Sequence, residues 1–162
     1  MGYDPYRQDQ SSGVSLGAVY VYKGNHKFSY TRDTIVAFYV GRPNTTDDFN
    51  RKVLEKLDIN ILLISLSNRK DFQKQRNSGL NQVMAKVCKK KNIIIGINLD
   101  EIIQEKNLKK KSEIFARLKQ NIMICNKNKV KMKFIINKNK KTSHELKSLG
   151  SVLGMPTNML VQ

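Results

Sequence analysis

Apolar residues along this chain come in two rhythms. Short continuous runs, "INILLISL" at 59–66, "NIIIGINL" at 92–99 and "MKFIIN" at 132–137, stop abruptly at polar or basic residues. A run with no polar alternation predicts a strand buried on both faces. Between them the rhythm changes to helical spacing. In "NSGLNQVMAKVCKKK" the residues Leu80, Val83, Met84 and Val87 share a face, and in "KKKSEIFARLKQNIMICNKNKV" the stripe is Ile114, Phe115, Leu118, Ile122 and Cys125. Both stretches predict amphipathic helices.

Two further helices are marked by their ends. "NTTDDFNRKVLEKL" opens on Asn44, Thr45 and Thr46 with acids in its first turn, and "TSHELKSLGSVLGM" offers Thr142 or Ser143 as cap with Glu145 placed for a capping box. Ahead of these, "LGAVYVYKG" and "DTIVAFYVGR" have strand character, and residues 1–16 read as a loop or poorly ordered lead-in. Strand and helix therefore alternate. That order predicts one α/β domain over residues 1–162, with parallel strands and right-handed crossovers, either open or closed into a barrel.

This architecture places functional groups at the C-terminal ends of its strands. "SNRK" follows the strand at 59–66 and "NKNKK" follows the one at 132–137, so two basic clusters should share one rim. Arg69, Lys70 and Arg76 after the first strand, and Lys138, Lys140 and Lys141 after the later one, are the candidate binding residues for a polyanion such as a nucleic acid. Lys89 to Lys91 precede a strand and should lie at the opposite end.

Charge explains why the partner should be a polyanion, with nucleic acid the usual one. The formal net charge is +17, from 30 Lys and Arg against 13 Asp and Glu. Residues 1–58 contribute +1 and residues 59–162 contribute +16, and from Lys106 to Lys141 there are 13 basic residues against the single acid Glu113. An AT-rich coding sequence inflates Lys, Asn and Ile together, but it would inflate Glu as well, and Glu is scarce. Positive potential on this scale predicts a polyanionic partner. With no Trp and 7% aromatic residues, the core must be aliphatic. Cys88 and Cys125 sit apart inside helical patterns, as reduced thiols would in a cytoplasmic protein, and no apolar run is long enough to span a bilayer.

Catalytic groups are sparse. Of the two histidines, His26 falls in a polar loop and His144 in the first turn of a helix. Asp100 and Glu101, just after "IIIGINL", are the best acids for a metal or for proton transfer, although at a helix start they would equally offset the N-terminal dipole. No phosphate-binding glycine loop follows a strand, and no set of ligands for a hydrolytic metal is evident. No catalytic or metal-binding residue is assigned.

The run "DINILLISLSNRKDFQKQRNSGLNQVMAKVCKKKNIIIGINLDEII", together with "KSEIFARLKQNIMICNKNKVKMKFIINKNKKTSHELKSLGSVLGMP", resembles the ribonuclease P 30-kDa protein subunit family of archaea and eukaryotes. The likeness covers about two-thirds of the chain. Its most specific element is Leu146, Leu149, Gly150, Leu153, Gly154 and Met155, matching the family's "LGxxLGM" helix. The resemblance implies a TIM-barrel-like fold, incomplete at both ends here, and an RNA-binding subunit of ribonuclease P, the endoribonuclease that removes 5′ leaders from precursor tRNA. The protein would not be catalytic alone. It also implies as partners the ribonuclease P RNA, precursor tRNA and other protein subunits. No cofactor would be bound by the protein, and the Mg²⁺ would belong to the RNA-based holoenzyme. The chain departs from the family where a small-residue "SSGA" gives way to Asn137–Lys141. The alternatives are a metal-dependent phosphoesterase of the related barrel fold, whose histidine cluster has no counterpart here, and a basic scaffold in another ribonucleoprotein.

Overall fold

The computed structural model describes residues 47–56, 59–71, 73, 75–136 and 141–161. In chain order the elements are α1 (Asp47–Lys56), β1 (Ile61–Leu63), α2 (Gln82–Lys91), β2 (Ile94–Asn98), α3 (Leu99–Gln104), α4 (Leu108–Asn128), β3 (Met132–Ile135) and α5 (Ser143–Val152). The strands expected in "LGAVYVYKG" and "DTIVAFYVGR", and the caps Asn44 to Thr46, lie outside the described residues.

The three strands form one parallel sheet in the order β1-β2-β3. Register sets its two faces. Leu62, Ile95 and Met132 pair side by side, as do Ile97 and Phe134, and this face packs into the main core with Leu54, Met84, Ala85, Ile114, Leu118 and Ile122 from the helices. The opposite face carries Ile61, Leu63, Gly96 and Ile135, also buried. Burial on both faces is what the continuous apolar runs demand. Gly96 is needed there for space: a methyl group on it would stand 2.8 Å from Ile135 Cδ1 and 3.1 Å from Ile61 Cγ2.

Three helix ends repeat one device. Asn92, Lys129 and Gly154 take left-handed backbone, with φ of 56°, 55° and 83°. The next residues, Ile93, Val130 and Met155, donate their N–H groups back to the carbonyls of Cys88, Cys125 and Gly150 at 2.8 to 2.9 Å. This is the Schellman arrangement, in which an apolar residue just past the helix seals its last turn and starts the path to the next strand. Cys88 and Cys125 occupy equivalent positions in it. Both are fully buried, and burial pushes each thiol up to about 12, so both stay protonated and act as small apolar side chains.

The third copy explains the "LGxxLGM" pattern. Gly150 lets α5 approach the chain that follows it, since a Cβ there would lie 3.2 Å from Leu160, and Gly154 supplies the left-handed turn. Beyond it Leu160 bridges Met132 in parallel, with the N–H of Val161 donating to the Met132 carbonyl at 2.8 Å. The expected capping box is present: the N–H of Glu145 donates to Thr142 Oγ1 at 3.3 Å and that of Thr142 to Glu145 Oε2 at 2.7 Å. These hydrogen bonds from Thr142 hold the Glu145 carboxyl below its ordinary range.

The expected barrel is the point that changes. Among the described residues the sheet is open, with three strands and the bridge at Leu160, whereas closure takes about eight tilted strands. The α/β alternation holds; the closed TIM barrel is not seen.

Candidate nucleic-acid interface

The loop that leaves β1, described at residues 64–71, 73 and 75–81, is held by many side-chain hydrogen bonds although its described residues contain little regular structure. Glu101, in the first turn of α3, accepts hydrogen bonds from Ser65 Oγ at 2.8 Å, from the Leu66 N–H at 3.1 Å and from the Ser67 N–H. Arg117 on α4 is 3% exposed and reaches the same loop from the helix side. It donates to the Leu66 carbonyl at 3.0 Å and the Arg69 carbonyl at 2.8 Å, and it pairs with Asp71 at 3.2 Å. Farther along, Asn121 donates to the Ser78 carbonyl, Gln120 to that of Arg76, and Asn50 of α1 to that of Gly79. Loop carbonyls that water would otherwise satisfy are bound by side chains from two helices, α4 and α1.

Arg69 is buried within this loop. It is 5% exposed; its Nε donates to the Ser65 carbonyl, and one terminal nitrogen donates to Asn77 Oδ1 at 3.1 Å. Its guanidinium lies against Gly79, where φ is +75° and an added Cβ would fall 2.6 Å from Arg69 Cζ. Arg69 therefore organises the loop from within. Its neighbour Lys70 is exposed, as is Arg76.

At the far side of the sheet Lys141 is exposed at the start of α5 and pairs with Glu145 at 3.4 Å. Lys70 follows β1 and Lys141 follows β3, the two strands that flank β2 in the parallel sheet. Lys138 and Lys140 lie outside the described residues. Lys89 to Lys91 close α2 at the opposite edge, and Lys91 donates to the Leu54 and Glu55 carbonyls at 2.6 and 3.0 Å, capping α1.

Charge reasoning on strand ends alone missed one cluster. Helix α4 begins beyond β2 at the same edge, and its first turn holds Lys109, Lys110 and Lys111 with no acid. Cations at a helix N-terminus oppose the macrodipole, at roughly 0.3 to 1 kcal/mol each at low ionic strength. A helix that keeps them there is poorly matched to itself and well matched to a nearby anion. The signal was in the sequence: Asn107, a capping residue whose side chain accepts from the Lys110 N–H at 3.1 Å, is followed by lysines where acids are favoured.

The acids have structural work. Asn98 caps α3 through the Asp100 N–H at 3.0 Å, so the helix-start reading of Asp100 and Glu101 is the one observed. Among the described residues no three His, Cys, Asp or Glu side chains come close enough together to hold a metal ion. His144 is exposed on α5. No helix among the described residues is long and apolar enough to cross a membrane.

No protein-family model matches the chain, and no curated protein matches it. One similar solved structure is a chain in the cryo-EM structure of archaeal ribonuclease P with mature tRNA. Identity is 15%, covering 86% of this chain and 74% of that one, with a TM-score of 0.47. At that identity and score the likeness assigns neither family nor function.

Proposed function

We propose that this chain is an RNA-binding protein subunit of ribonuclease P, which helps the catalytic RNA remove the 5′ leader of precursor tRNA. The observation that carries the RNA part is the strand-end edge. There a loop held rigid by Glu101 and Arg117 presents Lys70, and the first turn of α4 adds Lys109 to Lys111 against its own dipole. Lysines so placed suit phosphates, which position a protein on RNA without reading its sequence. The ribonuclease P part rests on the segment order and on the "LGxxLGM" helix, a signature of packing; its extension to function is by analogy. In this reading the partners are the ribonuclease P RNA, precursor tRNA and other protein subunits, and the Mg²⁺ acts with the RNA.

The test of identity is the RNA that co-purifies with the full chain. A structured RNA of ribonuclease P architecture is expected on sequencing, and an unrelated RNA would reassign the chain to another ribonucleoprotein. For the site, Lys140→Ala with Lys141→Ala should weaken binding to unrelated RNA sequences alike and lower the salt slope by roughly 1 per lost contact. Lys89→Ala with Lys90→Ala, at the far edge, is the control pair. An equal loss from both pairs would mean diffuse attraction and no strand-end site.

A further inference from the structure

Arg76 borders a groove of about 570 Å³ on the helical side, formed along α4 and the start of α2, whose other basic members among the described residues are Lys119 and Lys127. Ala116, Met123 and Ile124 line it, and among the described residues no carboxylate does. Met123 is 72% exposed, a large apolar side chain left in water beside three cations. Lys119 and Lys127 are eight residues apart on α4, about 12 Å along the helix axis, with Met123 midway.

We propose that this groove receives an acidic amphipathic helix of a partner protein, its apolar side chains on Met123 and Ala116 and two carboxylates two turns apart on Lys119 and Lys127. A charged rim around an apolar, Met-bearing floor is the arrangement used in helix-in-groove recognition. RNA fits this groove less well. Among the described lining residues none is aromatic to stack on bases, and the apolar floor gives phosphates no partner. The docking surface is thus separate from the strand-end edge and does not depend on the RNA reading.

The test uses the full chain and a designed, fluorescently labelled helical peptide with a leucine stripe flanked by two glutamates eight residues apart. Controls are a scrambled peptide of the same composition and a polyuridine RNA. Binding of the designed peptide is expected to weaken about tenfold with Lys119→Glu plus Lys127→Glu, and to recover when the peptide's two glutamates become lysines. Met123→Asn, which removes only the exposed apolar contact, should weaken the peptide several-fold and leave the polyuridine affinity unchanged. The proposal is overturned if the peptide does not bind, if the scrambled peptide binds as well, if Met123→Asn has no effect on it, or if the charge swap fails to restore binding. A larger loss for polyuridine than for the peptide in the lysine variant would make the groove an RNA path instead.

Discussion

RNA affinity of this protein is expected to fall about 250-fold when salt rises from about 50 to about 200 mM, because phosphate neutralisation releases counterions and makes log K linear in log salt. Residues 59–162 carry +16, and the strand-end edge presents Lys70, the Lys109 to Lys111 turn and Lys141. Contact with about five phosphates gives a slope near 4 in magnitude, which over a fourfold change in salt yields that factor. A titration by fluorescence anisotropy at several salt concentrations reads the slope directly. The geometry also says where the slope should be spent: replacing Lys109, Lys110 and Lys111 by Gln should lower it by roughly 2 to 3, since their charge stands at a helix terminus where it has no internal use. An affinity that changes less than about threefold across the same salt range would remove the electrostatic basis of the RNA reading.

Most of the fold could be read from the chain because its signals are local. An uninterrupted run such as Ile61 to Ile64 has one consistent explanation, burial on both faces, and Thr142 with Glu145 specifies a helix start through two reciprocal hydrogen bonds. The six-residue helix α3 was visible only as a pair of acids after a strand, too short to show a period. Barrel closure is not a local property: it depends on how many strands pair and at what stagger, which no single segment encodes.

The site was legible in its charge but not in its division of labour. Arg69 and Lys70 are adjacent cations in sequence, yet the left-handed backbone at Gly79 and the amide of Asn77 give Arg69 an internal place while Lys70 remains in water. That requires contacts eight to ten residues away. Arg117 and Asn121 did leave a trace. They fall on the core-facing stripe of α4, with Ile114, Leu118, Ile122 and Cys125, where a polar residue has to be satisfied by something across the interface. A polar pair on an apolar stripe is the sequence signature of a lock, and here the lock holds the loop that leaves β1.

Arg117→Ala is therefore expected to be the most damaging substitution of a polar residue on α4. It removes the donors to the Leu66 and Arg69 carbonyls and the partner of Asp71. Each buried carbonyl left without a donor costs about 1 to 3 kcal/mol. The ion pair adds less, because the Asp71 side chain is 38% exposed and water screens it. A total of about 2 to 4 kcal/mol follows, a large part of the stability of a domain this size. Arg117→Lys should recover only a fraction, since one ammonium cannot bridge two carbonyls and a carboxylate with the spread of a guanidinium. Lys119→Ala, two residues on and exposed, should stay within about 0.5 kcal/mol of the wild type. Urea unfolding followed by circular dichroism separates the three, read as a shifted midpoint at constant slope. If Arg117→Ala unfolded at the same urea concentration as Lys119→Ala, the loop would not depend on α4, and the rigid presentation of Lys70 would lose its structural support.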